Sequence, residues 1–304
     1  MSAPRRPPRR QVDGVLLLDK PLGMSSNTAL QAARRLFNAA KAGHTGTLDP
    51  LATGLLPLCF GEATKFAGEL LDADKSYRAT VRLGIATDTA DAEGAVISQC
   101  KPDVSEARLL AMLERFRGEI EQLPPMYSAL KRDGKPLYEY ARQGIEVERK
   151  PRQVIISRLD LLSFDGIDAV IDVDCSKGTY IRTLAADIGD SLGCGAHLQA
   201  LRRTRVARLE IGQAVTLDAI EVLAEGEREV LLASPDTLLS QLPRIELDAT
   251  AATRMGHGQA IPWNADAGGR YRLFSQERGF LGIAVVTESG MLQALRLVAE
   301  SRAA

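Results

Sequence analysis

The chain has 304 residues, 45% of them hydrophobic and 25% charged, and its 38 Lys and Arg residues almost balance 39 Asp and Glu residues. This composition is typical of a globular protein of about two domains, and a net charge of −1 provides no argument for a nucleic-acid partner. No apolar run is long enough for a membrane helix, no secretory signal precedes the chain's first strand, and the four cysteines are scattered. We therefore expect a cytoplasmic protein with reduced thiols, no membrane partner and no metal site.

The N-terminal segment predicts a basic tail followed by a strand and a helix. Residues 1–10 contain four Arg, three Pro and no acidic residue, which is typical of a disordered arm. The sequence GVLLLDK (14–20) has the apolar run of a buried strand and ends in the turn KPLG (20–23). Ser25 can then cap a helix whose apolar positions lie on one face, namely Leu30, Ala33 and Phe37.

The next segment contains a glycine-punctuated loop, two predicted helices and a strand. The loop spans residues 41–54 and precedes an apolar run at 55–60; residues 61–74 have a helical pattern. Residues 75–89 alternate in polarity and predict a half-buried strand, with Tyr77 on its apolar face. Residues 107–120 predict an amphipathic helix.

The second half of the chain indicates an α+β fold. Residues 124–152 are polar and rich in Pro and Gly, and this stretch is too long for a simple connection, so it indicates a functional insertion. Predicted strands and helices then alternate irregularly, at 153–165, 169–175, 179–192, 196–211 and 217–232. This order favours a mixed, largely antiparallel sheet over strict βαβ alternation.

The composition changes again near residue 243. Short β-like runs with frequent glycines between 244 and 304 predict a small β-barrel module. The predicted organisation is therefore a disordered basic tail at 1–10, an α+β domain at 11–243 with an insertion at about 124–152, and a C-terminal module at 244–304.

The densest motif is GHTGTLDPLATG (43–54). No Gly-Lys-Ser/Thr follows its glycines, which excludes a nucleotide-binding phosphate loop. Pro50 biases Asp49 toward an extended backbone, and the surrounding leucines are expected to enclose it. Desolvation would raise the pKa of this carboxyl group unless a cation lies beside it, and such a group can act as a nucleophile or base. An Asp before Pro in a glycine-rich loop is equally compatible with a turn residue.

Five motifs occur in order along the chain: KPLGMSS (20–26), GHTGTLDPLATGLL (43–56), KSY (75–77), GTYIR (178–182) and AHLQALRR (196–203). Together they resemble the TruB family of tRNA pseudouridine synthases, which act on uridine 55 of the T-loop. The C-terminal module resembles the PUA-like RNA-binding domain of bacterial members. The resemblance implies a pseudouridine synthase-like catalytic domain that isomerises uridine without a cofactor, by breaking the C–N bond, turning the base and forming a C–C bond.

The resemblance also implies roles for individual residues. Asp49 corresponds to the nucleophile, which attacks either C6 of uracil or C1′ of ribose. Arg182 corresponds to the arginine that pairs with it and favours its ionised form. Tyr77 corresponds to the active-site tyrosine that stacks on the base and moves a proton. The remaining substrate-binding positions are His44, Tyr180 and Leu201.

The target uridine is stacked within the T-loop and must be flipped out, so contacts to the RNA backbone have to offset that unfavourable step. Residues 131–152 carry seven basic and four acidic side chains, and residues 202–208 carry four Arg and no acid. Such segments are often merely solvated, but the resemblance implies an RNA clamp. The expected RNA contacts are Lys20, which together with Pro21 also resembles a support of the catalytic loop, and Lys131, Arg132, Arg142, Arg149, Arg202 and Arg203.

The resulting hypothesis is a stand-alone, monomeric enzyme whose partner is the T-arm of tRNA and which needs no obligatory protein partner. One alternative is an RNA-guided relative that works in a ribonucleoprotein particle, although the uninterrupted insertion favours the stand-alone type. A second alternative is a tRNA-folding chaperone that binds and flips without isomerising. A small-molecule hydrolase is a third, but it would not require the basic insertion.

Overall fold

A computed structural model describes residues 8–128 and 130–299 of the chain. Its strands, in chain order, are β1 (Gly14–Lys20), β2 (Ala42–His44), β3 (Ala52–Phe60), β4 (Lys75–Leu83), β5 (Ile85–Thr87), β6 (Val96–Gln99), β7 (Gly118–Gln122), β8 (Lys131–Arg132), β9 (Lys135–Pro136), β10 (Arg152–Phe164), β11 (Asp168–Cys175), β12 (Ala196–Val206), β13 (Leu209–Glu210), β14 (Arg244–Leu247), β15 (Ile261–Pro262), β16 (Arg270–Ser275), β17 (Gly279–Val286) and β18 (Met291–Leu297).

The described helices are of two kinds. The α-helices are α1 (Ser26–Leu36), α2 (Glu106–Glu114), α3 (Leu137–Ala141), α4 (Ile181–Leu192), α5 (Leu217–Glu221) and α6 (Ala249–Gly256). The 3₁₀ helices span Gly61–Leu70, Ile211–Gln213, Glu225–Leu231 and Pro235–Leu239.

A nine-stranded sheet dominates the first two thirds of the chain. Its central order is β1-β3-β12-β4-β11-β10-β7, with β2 added beside β3 and β13 beside β12. Every pairing in it is antiparallel except that of β12 with β3. This mixed, largely antiparallel sheet confirms the predicted α+β class. The parallel pair sets the start of β3 beside the residues of β12 that include Leu201 and Arg203.

One face of this sheet carries the main core. The apolar positions of α1, α2 and α4 pack there against side chains from the sheet, including Tyr77, Ala79 and Val81 of β4. The other face of β4 is polar, where Arg78 and Arg82 pair with carboxylates of β11. The alternation predicted for β4 is thereby confirmed. The 3₁₀ helices Gly61–Leu70 and Pro235–Leu239 cover the opposite face of β1 and β3 with a second apolar cluster.

The C-terminal part is a five-stranded sheet with the order β14-β16-β17-β18-β15 and α6 packed against it. The predicted small β-barrel is present as a curled half-barrel, since its outer strands β14 and β15 do not pair with each other. Phe280 of β17 contacts Phe66 at 5.4 Å between ring centroids, and Arg270 pairs with Glu69 at 2.7 Å. These contacts attach the second sheet to the 3₁₀ helix Gly61–Leu70.

Several predicted elements differ from the structure. The helix predicted over 107–120 ends at Glu114, because the following residues form β7 and pair with β10, beginning at Gly118 with φ +85°. The helical pattern at 61–74 is a 3₁₀ helix, and that at 217–232 divides into α5 and a 3₁₀ helix. The polar insertion contains the β8–β9 hairpin and α3.

The predicted disordered arm extends too far at its C-terminal end. Arg10 donates its backbone N–H to Asn38 at 2.8 Å, and its side chain pairs with Glu229. These bonds attach Arg10 to the folded domain. The rest of the predicted arm up to residue 7 lies outside the described residues.

Candidate active site

The loop that carries Asp49 is held by the motif that precedes α1. The hydroxyl of Ser26, at the first turn of α1, accepts the backbone N–H of Leu48 at 2.7 Å and donates to the carbonyl of the same residue at 3.0 Å. Gly23 donates its backbone N–H to Pro50 at 2.9 Å. Leu48 is buried at the core. The backbone on both sides of Asp49 is therefore fixed by residues 23–26.

Gly54 allows this loop to reach the centre of the sheet. Its φ of +97° lies in the left-handed region, and a Cβ built there would come within 2.3 Å of the Arg203 carbonyl oxygen. Only glycine accommodates both conditions. The close approach puts the end of the Asp49 loop directly against β12.

Asp49 forms an ion pair with Arg182 of α4. The Nε of Arg182 lies 3.0 Å from Oδ2 of Asp49, and its Nη1 lies 3.5 Å from Oδ2 of Asp91. The guanidinium also donates to the carbonyls of Thr89 at 3.3 Å and Tyr127 at 2.7 Å. Arg182 is 5% exposed, so these four partners hold one buried cation in a single orientation beside Asp49.

Opposing effects set the pKa of the Asp49 carboxyl group. Burial raises it and is the largest effect; the charge of Arg182 lowers it, and the carboxylate of Asp91 raises it. Lys20 lowers the pKa of Asp49 further, although the pKa of Lys20 itself falls to about 8 because its ammonium group is desolvated. The net result is a pKa above the ordinary aspartate value. Such a carboxylate is more basic than a solvated one, which suits a nucleophile.

Tyr77 lies on the buried face of β4, with Val173 of β11 and Arg203 of β12 directly opposite it. Lys75 precedes it in the KSY motif, and its ammonium group donates to the carbonyls of Leu70, Leu71 and Ala73. All three donors of this buried lysine are thereby used within the fold. Lys75 therefore anchors the start of β4, while the phenol of Tyr77 reaches the cavity wall.

The N-terminus of α4 is tied to the sheet edge through Tyr180. Its backbone N–H donates to the side chain of Gln122 at 3.0 Å, and the amide of Gln122 donates back to its carbonyl at 3.2 Å. The guanidinium of Arg152 stacks over the Tyr180 ring at 4.7 Å from the centroid. This bracing orients both Tyr180 and the neighbouring Arg182.

These side chains surround a cavity of about 380 Å³, which falls within the usual size range for small-ligand sites. The structure brings together in its wall five of the residues expected at the site: Asp49, Tyr77, Tyr180, Arg182 and Leu201. His44 is on β2 and is not among the lining residues, while Gly46 and Thr47 of the same motif are. A larger cavity of about 560 Å³ lies near Glu62 and Phe280, and none of the predicted site residues lines it.

The residues expected to contact RNA fall into two groups, those that are exposed or partly exposed and those that are buried. Lys131, Arg132 and Arg142 are exposed on the insertion, and the guanidinium of Arg142 lies over the Tyr138 ring. Arg149 is mostly covered and donates to the Pro124 carbonyl. Arg202 is 42% exposed and forms a bidentate pair with Asp19.

The positions of Lys20 and Arg203, which are 0% and 2% exposed, do not fit contacts with the RNA backbone. The ammonium of Lys20 donates to the carbonyls of Pro21 and Met24, which agrees with its other predicted role as a support of the loop. The Nε of Arg203 donates to the Leu55 carbonyl at 2.7 Å. Both expectations are corrected as far as the RNA backbone is concerned, because strand pairing turns these two side chains inward; Arg203 instead lines the cavity.

The motifs in the sequence gave no indication that Asp91 is a member of the site. Asp91 is 4% exposed, and its Oδ1 accepts the Thr89 hydroxyl at 2.5 Å and the Glu93 backbone N–H at 3.1 Å. A turn of the form Thr-x-Asp-x-Glu was the available signal. It did not indicate that the carboxylate faces Arg182, since that depends on how the turn packs against α4.

The described residues contain no cluster of three or more His, Cys, Asp or Glu side chains that could hold a metal ion. Among the helices in the described parts of the chain, none has the length and apolar character needed to cross a membrane.

The chain matches known families along most of its length. Residues 34–181 match the TruB family pseudouridylate synthase N-terminal domain, residues 182–240 the tRNA pseudouridylate synthase B C-terminal domain, and residues 243–298 the C-terminal domain of pseudouridine synthase II TruB.

Individual relatives agree with the family models. The chain is 59% identical over 290 residues to tRNA pseudouridine synthase B of Aromatoleum aromaticum, covering 95% of this chain and 94% of that protein. It is 57% identical over 297 residues to the Burkholderia mallei protein of the same name, covering 95% and 98%. A chain in the crystal structure of a Cbf5–Nop10–Gar1 complex superposes with a TM-score of 0.70 at 26% identity, over 94% of this chain and 84% of that one. The chain therefore belongs to the TruB family of pseudouridine synthases.

Proposed function

We propose that this chain converts uridine 55 in the T-loop of tRNA to pseudouridine, with Asp49 as the nucleophile and no cofactor. The observation that carries this proposal is the ion pair of Asp49 with the buried Arg182, 3.0 Å long, in the wall of a cavity that Tyr77 also lines. The relatives named tRNA pseudouridine synthase B support tRNA as the substrate.

The site residues divide the chemical work. Arg182 keeps Asp49 ionised in spite of its desolvation, so that its carboxylate attacks C6 of uracil or C1′ of ribose. Tyr77 packs against the base, and its hydroxyl carries a proton. Tyr180 and Leu201 enclose the flipped uridine. His44, two residues before the cavity lining begins, contacts the neighbouring extruded nucleotides.

Binding and base flipping involve the rest of the chain. We infer that the insertion clamps the T-arm with Lys131, Arg132, Arg142 and Arg149, and that Arg202 adds a backbone contact. Tyr138, which is exposed on the insertion, is inferred to stack on a splayed base at roughly 1–3 kcal/mol. The C-terminal unit, 244–304, is proposed as a PUA-like module that touches RNA farther from the site. The chain is proposed to act as a cytoplasmic monomer without an obligatory protein partner.

The direct test is to incubate the purified chain with an unmodified T-arm transcript, with no added cofactor, protein or guide RNA, and to map pseudouridine. Conversion at the position of uridine 55 alone is expected. No conversion by the purified chain, followed by activity only with guide RNA and partner proteins, would instead favour the RNA-guided alternative.

Asp49→Asn is expected to abolish turnover while tRNA affinity stays within a few-fold, because the amide keeps the shape of the side chain but is not a nucleophile. Product mapping and filter binding measure the two effects separately. Normal pseudouridine formation by this variant would overturn the nucleophile assignment. If the inactive variant still promotes tRNA folding, the chain has a chaperone function in addition to isomerisation.

A further inference from the structure

Arg203 is the largest fully buried side chain among the described residues, and it is 2% exposed. The guanidinium of Arg203 lines the same cavity as Asp49 and Tyr77. A buried cation is unfavourable unless fixed partners or an opposite charge compensate it. The contacts of the Arg203 guanidinium therefore indicate its role.

Only two of the three nitrogens of this guanidinium form hydrogen bonds within the protein. Its Nε donates to the Leu55 carbonyl at 2.7 Å, and its Nη1 to the Thr47 carbonyl at 3.5 Å. The remaining nitrogen, Nη2, is buried without a hydrogen-bond partner. Across the described residues, no carboxylate forms an ion pair with Arg203, whereas Arg182 on the other side of the cavity pairs with two. The cavity thus has one neutralised cation and one whose charge is uncompensated.

The group that favours the charged form of Arg203 is the phenol of Tyr77. Arg203 and Tyr77 are directly paired residues of β12 and β4, so their side chains lie next to each other on one face of the sheet. Burial raises the pKa of Tyr77, and the charge of Arg203 acts against that rise. Reciprocally, the phenol favours the charged form of Arg203.

We propose that Arg203 is a positioning residue for Tyr77, holding its phenol at the cavity wall and serving as the counter-ion of its ionised form. The proposal rests on the proposed function, in which the hydrogen on C5 of uracil leaves as a proton and N1 gains one. A tyrosine that gives or takes a proton passes through the phenolate during the cycle. In a desolvated cavity that anion is strongly unfavourable unless a cation adjoins it.

The orientation of Arg203 agrees with this role. Its bonds to Leu55 and Thr47 tie it to the two ends of the Asp49 loop, and Gly54 brings β3 against its backbone. The same side chain thereby fixes the distance between the loop of the nucleophile and the strand of Tyr77.

A double-mutant cycle on the full-length chain tests the proposal, with single-turnover rates measured on the unmodified T-arm transcript. Arg203→Gln and Tyr77→Phe are each expected to lower the rate by about 100-fold or more, the usual scale for loss of a proton-transferring group. The double variant is expected to be no more than about threefold slower than Tyr77→Phe, because the charge has no role without the phenol.

Arg203→Lys keeps the positive charge, and its rate is expected to be at least about tenfold higher than that of Arg203→Gln. Arg78→Gln is the matched control, since Arg78 follows Tyr77 on β4 but faces the opposite, exposed side and pairs with Asp172. Its rate is expected to stay within about twofold of the unmodified chain.

A pH profile distinguishes an electrostatic effect of Arg203 on Tyr77 from a role limited to holding the Asp49 loop. The charged or titratable groups that act on the Tyr77 phenol are Arg203, Cys175 and Asp49. Lys75 lines the same cavity. The thiol of Cys175, with its pKa raised to about 12, stays neutral in the range used. Loss of the guanidinium charge raises the pKa of Tyr77 further, so the alkaline limb of the rate that Tyr77 governs is expected at higher pH in Arg203→Gln than in the unmodified chain.

Three results would overturn the proposal: an unaltered rate in Arg203→Gln, multiplicative losses in the double variant, or a Lys variant no faster than the Gln variant. If Arg203→Gln fails to fold by circular dichroism, Arg203→Lys and a ¹³Cζ-tyrosine titration replace it. A buried lysine is charged at the pH of the rate assay but loses its proton before Tyr77 ionises, whereas arginine stays charged. The Tyr77 signal, assigned with Tyr77→Phe, is then expected to titrate at higher pH in the Lys variant, and an unchanged titration overturns the proposal. An unmodified chain that makes no pseudouridine contradicts the proposed function instead.

Discussion

The chemistry of Asp49 depends on which neighbours face one carboxyl group. Burial and Asp91 disfavour its ionised form, while Arg182 and Lys20 favour it. Arg182 is held by two carboxylates and two carbonyls, so its position does not depend on Asp49 alone. A reactive but still ionisable carboxylate results, since a stronger cationic environment would make it a poorer nucleophile.

The reaction rate is therefore expected to fall on the acidic side of neutrality with an apparent pKa above the value of about 4 of a solvated aspartate. The carboxylate is the active form, so activity is lost as the pH decreases through the raised pKa of Asp49. Asp91→Asn removes a negative charge that raises that pKa, and should move the acid limb to lower pH. Single-turnover rates between about pH 3.5 and 9 cover the ordinary aspartate pKa of about 4 and measure both effects.

Asp88→Asn is the control for this experiment, because Asp88 lies in the same turn but is exposed and accepts only a backbone N–H from Ala95. Its acid limb is expected to coincide with that of the unmodified chain. An acid limb near pH 4, or one that Asp91→Asn leaves in place, would contradict this account of Asp49.

At the scale of elements, α4 delivers both Tyr180 and Arg182 to the cavity and packs its apolar face into the core. It also contains a half-buried carboxyl group, that of Asp187, which destabilises the fold when it is ionised. The pKa of Asp187 is raised to about 6, first by burial and then by the like charge of Asp190, three residues later. The folded state binds this proton more tightly than the unfolded state, so ionisation of Asp187 destabilises the fold as the pH rises through about 4 to 6.

Asp187→Asn is accordingly expected to raise the free energy of unfolding at pH 7.5 by about 1 kcal/mol, a value reduced from the full shift because Asp187 is partly exposed. The gain should shrink at pH 5, where much of the aspartate is already protonated. Urea midpoints at both pH values measure it. An equal gain at both would mean that helix propensity and not charge is responsible; Asp190→Asn, at an exposed position, should give a smaller effect.

For the whole molecule, the near-zero net charge is an average over unequal regions. Many basic side chains outside the insertion are already paired on the sheet surface, such as Arg78 with Asp172 and Arg202 with Asp19. The insertion keeps exposed cations beside the cavity and buries only Leu137 between residues 131 and 150. It is thus a region that contributes surface charge and little core.

Replacing residues 131–150 by a short Gly-Ser linker is expected to weaken tRNA binding by about tenfold or more while shifting the melting temperature by only a few degrees. Loss of Lys131, Arg132 and Arg142 should also flatten the dependence of log affinity on log salt, by roughly 0.7 for each phosphate contact removed. Filter binding at several salt concentrations and thermal unfolding measure these effects.

A charge-only version of the experiment replaces the same three cations by Gln. Its control is Lys101→Gln/Arg115→Gln, at exposed positions before and after α2. The control is expected to keep both affinity and salt slope. Unchanged affinity in the linker variant would refute the clamp, and a large loss of stability would mean that the insertion supports the fold.

The sequence by itself was sufficient for features that depend on local pattern. The alternation of β4 determined which side of the strand Tyr77 faces, the Gly- and Pro-rich motif marked the loop of Asp49, and the order of elements determined the α+β class. These features follow from periodicity and backbone restrictions, which act between neighbours along the chain.

Only the tertiary structure decided which charges meet and which are buried. Lys20 and Arg203 look like surface cations in the sequence, but the register of β1, β3 and β12 turns them inward. Asp91 meets Arg182 only because the turn after β5 packs against α4. Burial and electrostatic pairing depend on distances between residues far apart in the chain, and those distances are set when the strands align in the sheet.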